Sequence, residues 1–501
     1  MAPTEVPAAG LFGVRPRHLP WVVSHDSLNR VFSTLTYFGP VFVLFLSELG
    51  LPKTRIGFLL SLLPFCSPLA LVVAAAVARV GVKRVFLVCW TLRTAVTVLF
   101  LAVPYLIGSH GVDVTFAFVA ALVLTFAIFR AIGETAYYPW HQEMIPDAIR
   151  GRFNGVNNLF GLLATGASLA AASYVVDHMP GIVGYVAIIG AGVLFGFISV
   201  LCALPIPGGG PGRTRETAHG RAMRLTLRDR GFRIYLAANG LTVMGGYSMV
   251  FAFVPLFMKE QVGLADSQIL LLQLSSFGAG LLSCYLWGWA ADRYGSKPVI
   301  MWALGLMVIL PLCWWAMPRN DVWSFTAGMA IAFFFGIVNT GWTVSEQRLL
   351  YVNVIPADKK TEYLAVYYAW MGLLGGLGPI VAGVLLDTFD DVSGHWLVLP
   401  VDSFTPVFLL GTVLLGTSAL IMSRLRSAIP DGWIRTCEGR ACARADGLLH
   451  RLMRPSAGLN LPRPRPTTSS ATPCLRCMVR CRAWLTIPIA RCITSAVPPV
   501  G

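Results

Sequence analysis

Charged side chains are scarce in this chain of 501 residues. Asp, Glu, Lys and Arg make up only 13% of the sequence and apolar residues make up 56%, whereas about a quarter of a soluble globular protein is charged. The apolar residues occur in runs of roughly 20, the length that a helix needs to cross a bilayer core of about 30 Å. These runs lack the alternation that a transmembrane barrel requires. The composition excludes a soluble fold and predicts an all-α polytopic membrane protein.

Several signatures of other protein classes are also missing. The sequence has no Gly-x-x-x-x-Gly-Lys-Ser loop, which argues against an ATP-driven pump, and no spaced metal-ligand cluster near a membrane face. No nucleophile, base and orienting group assemble by spacing. No short apolar stretch with a small-residue cleavage site occurs near Met1, so we expect no cleavable signal. We therefore expect no enzyme activity, no cofactor and no metal.

Apolar runs bounded by charged or turn residues give twelve candidate spans. Their predicted limits are 28–49, 55–78, 84–107, 113–140, 155–177, 181–203, 233–258, 267–291, 298–317, 322–346, 361–386 and 401–424. The predicted organisation is an N-terminal segment over 1–27, a six-helix bundle over 28–204, a basic linker over 205–232, a second six-helix bundle over 233–424 and a tail over 425–501. The tail is rich in Arg, Pro and Cys and has no Lys, which predicts disorder.

Basic residues are distributed unevenly among the loops. The loops on one side carry Arg79, Lys83, Arg84, Arg150, Arg152, the seven arginines from Arg213 to Arg233, Arg293, Lys297, Lys359 and Lys360. Those on the other side carry only Lys53, Arg55, Lys259 and Arg319. The positive-inside rule places the first side and both termini on the cytoplasmic side of the membrane. We expect that membrane to be a plasma or inner membrane. Nucleic-acid binding is the alternative explanation of the basic excess; we favour topology and expect no nucleic-acid partner.

The two halves of the sequence resemble each other at an offset near 210 residues. Ile145-Pro146 opens a stretch of 33 residues that ends at Asp177, and Ile355-Pro356 opens one of the same length that ends at Asp387. Gly50-Leu51 matches Gly263-Leu264 in the same order. Two parallel six-helix repeats joined by a long basic loop are the plan of one large transporter class.

One loop carries a family motif. Gly288-Trp-Ala-Ala-Asp292-Arg293-Tyr-Gly295-Ser-Lys297 resembles the Gly-x-x-x-Asp-Arg-x-Gly-x-Lys signature of the major facilitator superfamily, in the expected loop after the second helix of a half. The resemblance implies a conformational latch. Here Gly288 would let helices approach closely, Asp292 would lie at the N-terminal end of a neighbouring helix, Gly295 would allow the turn, and Arg293 and Lys297 would form charge pairs.

The first half keeps only a remnant of this motif, and its latch should be weaker. The remnant consists of Arg79, Gly81, Lys83 and Arg84, with Ala78 near the position of the acid. A second segment, Gly375-Gly376-Leu-Gly378-Pro379-Ile-Val-Ala-Gly383, resembles the Gly-Pro motif of drug/proton antiporters. In those proteins it lies on span five, and here it lies on span eleven. We therefore interpret it as helix packing and bending.

Charged residues inside spans are the leading functional candidates, because charge within a bilayer is costly. Arg130 and Glu134 on span four are four residues apart and share a helix face. They either bind substrate and couple protons, as the resemblance to proton-coupled members implies for Arg130, or form a structural ion pair. Glu346 on span ten shares a face with Asn339 and lies near Trp342. The alternative for Glu346 is a solvated helix end.

Other polar and aromatic residues are weaker candidates. Tyr37, Asn239 and Tyr247 are suited to stacking and hydrogen bonding in a cavity, with packing as the alternative. His25, Asp26 and Arg30, around the start of the predicted first span, would form either a gate or a solvated flank, and we favour the flank. Arg93 is interpreted as a gate or interface charge.

The family resemblance implies twelve transmembrane helices in two pseudo-symmetric bundles. It also implies a secondary active transporter that carries a small-molecule substrate by alternating access, and we expect a monomer whose other partner is the lipid bilayer. Proton coupling stays open, as does the choice between drug or metabolite efflux and uptake of a sugar, peptide or organic acid. The alternative function is that of a non-transporting membrane sensor or scaffold.

Overall fold

The computed structural model describes residues 18–145, 150–211, 226–355, 360–392, 394–396 and 399–425. The predictions for the tail, for Pro146 and Pro356, for Lys359 and for the linker arginines between 212 and 225 lie outside these residues. The side chains of Arg150, Arg152 and Lys360 are not described either.

The first half has six spans. They are Leu19–Leu35 with Pro40–Glu48; Lys53–Phe65 with Leu69–Val80; Val82–Val98 with Leu99–Ala102 and the part of Val103–Met144 before Gly111; the part of Val103–Met144 after Gly111; Arg150–His178; and Ile182–Ala203. The second span bends by 42° between its two helices. Spans three and four follow each other as one apolar stretch of 63 residues. Gly111, with φ 80° and ψ −178°, breaks that stretch, so it crosses the membrane twice.

The second half repeats this order. Its spans are Arg230–Thr242 with Val243–Phe251, Val254–Phe257 and Met258–Val262; Asp266–Tyr294; Ser296–Trp315; Ser324–Arg348 with Leu349–Val354; Lys360–Thr388; and Thr405–Ser423. The prediction of twelve spans in two six-helix bundles is thus confirmed. One small element was not predicted: strands β1, Gly394–Trp396, and β2, Leu399–Val401, pair antiparallel before span twelve.

The predicted start of span one at residue 28 is wrong, because the helix begins at Leu19. Pro20 occupies its first turn, where a missing N–H is tolerated. His25 and Asp26, which mimic a polar flank in the sequence, lie inside the helix and find hydrogen-bond partners on other spans. The residues from Leu19 to 27, which we predicted to belong to the N-terminal segment, therefore belong to the first bundle.

Equivalent loops of the halves have the same backbone. Gly50 and Gly263 both have positive φ, at 70° and 77°, and so do Gly81 and Gly295, at 107° and 87°. The following lysines also act alike. Lys83 Nζ donates to the carbonyls of Leu204 and Ile206, at 2.9 and 2.6 Å, at the end of span six.

Lys297 Nζ donates to the carbonyls of Ser423, at 3.1 Å, and Leu425, at the end of span twelve. Carbonyls at a helix C-terminus have no partner within the helix and carry partial negative charge. We call each of these contacts a lysine staple. Each staple ties the second loop of a half to its last span.

The halves meet along two seams. Span eleven packs on span two in the 2–11 seam, and span eight packs on span five in the 5–8 seam. We call the end of the molecule with the loops after spans two, four, eight and ten the basic end, and the opposite one the acidic end. The hydrogen bonds and ion pairs that join described residues of the two halves lie at the acidic end. The structure is therefore sealed at that end.

Two clusters form this seal. Lys259, at the end of span seven, contacts Glu48 and Asp266, each at 3.0 Å, and Asp266 also accepts a 2.6 Å hydrogen bond from Tyr185. At the 2–11 seam, Lys53 lies 3.3 Å from Glu260 and 2.5 Å from Asp390.

Candidate functional site

A cavity of about 540 Å³ lies between the halves. Its walls come from spans one, two, four, seven and eleven, and include Phe38, Pro64, Arg130, Glu134, Tyr138, Val243 and Tyr368. Arg130 Nε lies 2.9 Å from Glu134 Oε1, and their side chains are 22% and 37% exposed. The Arg130 guanidinium also lies over the Phe38 ring, 4.6 Å from its centre. The sequence-predicted pair is thus formed, and it faces the space between the halves.

A second chamber of about 320 Å³ opens beside the first and shares Glu134 and Tyr138 with it. Asp26 lies on its wall and accepts hydrogen bonds from Tyr137, at 2.5 Å, and Asn157, at 2.7 Å. Across the same chamber, the Arg30 guanidinium donates to the Asn158 side chain at 2.8 Å. Polar groups of the first half therefore line both chambers.

His25 and Arg93 support these chambers from within the first half. His25 is 2% exposed and donates from Nδ1 to the Ser199 carbonyl at 2.8 Å. The preferred interpretation of His25 and Asp26 as a solvated flank is therefore wrong. Arg93 is also 2% exposed; its guanidinium donates to Asn29 and lies 3.7 Å from the centre of the Trp90 ring. An aromatic platform thus stabilises a buried cation.

In the second half, Glu346 lies in a cage of neutral donors. It is 4% exposed, which contradicts the alternative of a solvated helix end. Its Oε1 atom accepts hydrogen bonds from the hydroxyls of Tyr235 and Tyr367, the latter at 2.7 Å, and from Asn239 Nδ2 at 3.4 Å. Spans seven, ten and eleven each supply part of this site. No salt bridge to Glu346 occurs among the described residues.

Most of the second-half candidates belong to this region. The Tyr247 hydroxyl donates to the Asn339 side chain, and the Tyr247 ring packs 4.9 Å from that of Trp342. Sequence reasoning did not single out Tyr235, because one tyrosine in an apolar run carries no local signal. Its role becomes visible only when span seven is placed against span ten.

Tyr37 does not belong to the cavity. It is buried, stacks on Phe126 with ring centres 3.7 Å apart, and its hydroxyl lies 3.2 Å from the Thr97 hydroxyl. Here the packing alternative describes the structure. The proposed cavity role of Tyr37 is therefore wrong in this conformation.

The latch motif differs in detail from its prediction. Asp292 pairs with the Arg348 side chain at the end of span ten rather than with a helix N-terminus. A Cβ atom at Gly288 would meet nothing within 4 Å, so the expected close helix approach is absent there. Arg293 lies over the Trp289 ring at 5.5 Å. Gly295 makes the turn with positive φ. Lys297 bonds to backbone carbonyls instead of forming a charge pair.

The first-half remnant preserves part of this arrangement. Gly81 forms the equivalent turn, and Lys83 forms the equivalent staple. The side chains of Arg79 and Arg84 are exposed. The acid that would correspond to Asp292 is absent from this loop.

The glycine segment of span eleven lies in close contacts. A Cβ atom at Gly376 would lie 2.3 Å from Phe65, and one at Gly383 would lie 2.5 Å from the Lys53 carbonyl, both across the 2–11 seam. A Cβ at Gly378 would lie 2.6 Å from Ser248 of span seven. Gly375 faces Pro64 at 3.5 Å, and the Pro379 carbonyl faces Gly57. At Gly57, Gly378 and Gly383 the neighbouring backbone lies too close for a side chain, at Gly376 the Phe65 ring fills the space, and at Gly375 a Cβ would make ordinary contacts.

The comparisons with known proteins all point to one family. A sequence model described as Major Facilitator Superfamily matches residues 30–352 and 236–436. A Na(+), Li(+), K(+)/H(+) antiporter of Planococcus maritimus is 26% identical over 151 residues, covering 28% of this chain and 32% of the antiporter. Multidrug resistance protein MdtG of Proteus mirabilis is 25% identical over 178 residues, covering 33% of this chain and 42% of that protein. The matches thus span less than half the length of these relatives.

Solved structures share the fold over most of this chain. The nucleoside transporter NupG superposes with a TM-score of 0.58 at 15% identity and covers 82% of this chain and 98% of its own. A bacterial homologue of the iron transporter ferroportin, in an inward-facing state, gives 0.63 at 12% identity, with 82% and 99% coverage. At these identities the likeness concerns the fold alone.

Proposed function

The chain belongs to the major facilitator superfamily, and we propose that it is a secondary active transporter of a small solute, working by alternating access. The observation that carries this proposal is the cavity between the halves, sealed at one end and lined by the Arg130–Glu134 pair. Two rigid bundles that rock about such a cavity expose it to each side in turn. The basic end lies in the cytoplasm under the positive-inside rule. The structure then corresponds to an inward-facing state.

In this proposal the Arg130–Glu134 pair contacts the solute. Both side chains are accessible from the cavity, and aromatic rings of Phe38, Tyr138 and Tyr368 lie on the same walls. A solute with a polar group and an apolar body would compete for one partner of the ion pair while its body contacts the rings. This combination supports an amphipathic solute and does not distinguish export from uptake.

Transport is coupled to protons in this proposal, and Glu346 carries the proton. Arg130 and Glu134 are the proton-coupling candidates that the sequence suggests, but in the structure Glu134 Oε1 is paired with Arg130 Nε at 2.9 Å. Glu346 is buried and receives only neutral donors. A buried carboxylate without a cationic partner costs free energy inside a membrane. We therefore infer that Glu346 is protonated in this state. Release of that proton would accompany the conformational change.

The test starts from purified protein in a ligand-stabilisation screen that includes nucleosides, sugars, peptides, organic acids and amphipathic drugs. Stabilising compounds are then assayed for flux into proteoliposomes with and without a pH gradient. We expect wild type to accumulate at least one of them against its gradient. Glu346→Gln should lose accumulation but keep solute exchange. Arg130→Ala should lose both.

The controls separate the alternatives. Asp391→Asn changes an exposed acid of the same half that belongs to neither the latch nor the cavity, and it should keep accumulation. Accumulation by Glu346→Gln at the wild-type level would refute coupling at Glu346. Compounds that stabilise the protein but are not transported would support the sensor or scaffold function. The feature that favours that function is the absence of an acid from the first-half latch.

A further inference from the structure

We propose that Asp387 is a positioning residue of the transport cycle, because it closes the acidic end by capping a helix of the opposite half. Asp387 lies at the end of span eleven. Its Oδ1 accepts from the backbone N–H of Lys53 at 3.0 Å, and its Oδ2 accepts from that of Thr54 at 2.8 Å. Both N–H groups belong to the first turn of Lys53–Phe65, the first helix of span two.

This helix has no cap of its own. The residue before it is Pro52, which offers no side-chain acceptor, and no side-chain cap is formed from within the half. The first N–H groups of a helix lack partners within the helix and form its positive end. A carboxylate there supplies both the missing acceptors and the favourable charge. The capping residue of span two thus comes from the other half of the protein.

The glycine segment of span eleven makes this reach possible. A Cβ atom at Gly57 would lie 2.2 Å from the Pro379 carbonyl, and one at Gly383 would lie 2.5 Å from the Lys53 carbonyl. The Thr54 hydroxyl also donates to the Gly383 carbonyl at 3.2 Å. Backbone contact over this stretch holds Asp387 directly above the start of span two. The cap and the seam form one unit.

The equivalent residue of the first half does not make the same contact. Asp177 lies at the end of span five, and the one hydrogen bond that its carboxylate accepts from a described residue comes from the Ser267 hydroxyl, at 3.3 Å. Among the described residues, no side chain caps the first N–H groups of span eight; the Gln268 side chain accepts instead from the N–H of Ala265, the residue before the helix, at 3.1 Å. The closure contact is therefore asymmetric. Asp387 should bias the conformational equilibrium, whereas Asp177 should bias it much less.

Opening of the acidic end must separate Asp387 from span two, since they belong to different halves. Loss of the carboxylate then removes bonds present only in the closed state, and the equilibrium shifts toward opening at the acidic end. A helix cap typically changes an equilibrium by about fivefold. The inference rests on the proposed alternating-access cycle, but its readout is conformational and needs no identified solute.

The test measures distances between spin labels in proteoliposomes, in a background without native cysteines. Val112→Cys and Val322→Cys report on the acidic end, and Val80→Cys and Tyr294→Cys report on the basic end. All four side chains are exposed. Asp387→Ala should increase the ratio of long to short acidic-end distances about fivefold. It should also increase the share of short distances at the basic end, which closes when the acidic end opens. Gly383→Val, which forces the backbones apart, should act in the same direction.

Two matched controls exclude general loosening. Asp321→Ala removes a cap contact within one half, the 3.0 Å bond from the Trp323 N–H, and Asp177→Ala removes the weaker counterpart at the 5–8 seam. Both should leave the distance distributions close to wild type. Unchanged distributions in folded Asp387→Ala, or an equal shift in Asp321→Ala, would overturn the inference. A shift in Asp387→Ala without any detectable flux would support it and count against the proposed transport function.

Discussion

The two halves share a helix order and a pair of lysine staples, yet they handle charge differently. The first half exposes an ion pair, Arg130–Glu134, to the cavity and backs it with the buried Arg93. The second half hides one acid, Glu346, among hydroxyl and amide donors. A repeat can thus preserve the scaffold while its copies diverge in electrostatics. The first copy pairs its membrane charges, whereas the second keeps one buried acid that has no cationic partner among the described residues.

The largest expected effect concerns a buried ion pair of the second half that has no counterpart among the described residues of the first half. Arg319 pairs with Asp402, and their side chains are 13% and 7% exposed. Asp402 also caps span twelve through the N–H groups of Phe404 and Thr405, at 2.9 and 3.0 Å. Asp402→Ala should destabilise the protein by about 3–5 kcal/mol, because Arg319 is left buried and unpaired. Thermal unfolding in detergent measures this.

The matched control is Asp292→Ala, which breaks the exposed pair with Arg348. An exposed ion pair contributes about 0–1 kcal/mol, so the melting temperature should hardly change. Equal losses of stability in the two variants would show that the contribution of these ion pairs to stability does not depend on their burial.

A second prediction compares the two membrane glutamates directly. Glu134→Gln should destabilise by about 1–2 kcal/mol, since it deprives Arg130 of its counter-charge in a partly exposed site. Glu346→Gln should change stability by less than about 0.5 kcal/mol if the native side chain is already neutral, because the amide keeps its size. Thermal unfolding of both variants at the same pH measures the contrast. A larger loss for Glu346→Gln would mean that Glu346 is charged in this state.

A third prediction, with smaller effects than Asp402→Ala and Glu134→Gln, tests what the halves have in common. Lys83→Met and Lys297→Met each remove a staple to the end of a last span. Each should cost about 0.5–1 kcal/mol, the size of a cation's interaction with a helix C-terminus. Similar shifts in melting temperature would support equivalent roles. A strong effect of only one variant would break the symmetry between the loops.

Much of the fold was predictable from local sequence. Apolar runs located twelve spans, and the positions of Gly81 and Gly295 marked equivalent turns. The start of span one was misplaced because His25 and Asp26 are polar, and their partners Ser199 and Tyr137 come from spans far along the chain. The pattern of apolar and polar residues shows which side chains prefer water. It does not show which distant residue will form hydrogen bonds with a buried polar side chain.

The candidate site was predictable only in part. Arg130 and Glu134 are one helical turn apart, so their pairing follows from local geometry. The cage around Glu346 could not be deduced, because Tyr235 and Tyr367 are separated from it by whole spans. Likewise, the cap from Asp387 to Lys53 crosses the repeat boundary, and internal symmetry alone would have predicted the same contact at Asp177.

The lysine staples also have a consequence for biogenesis. A ribosome produces Lys83 long before Ile206, and Lys297 long before Leu425, so each bundle can be fastened only after its sixth helix has left the exit tunnel. The first bundle can therefore mature while the second is still being translated. Nascent chains that stop before residue 206 would hold a lysine without its acceptors, and membrane quality control could detect them as unfinished.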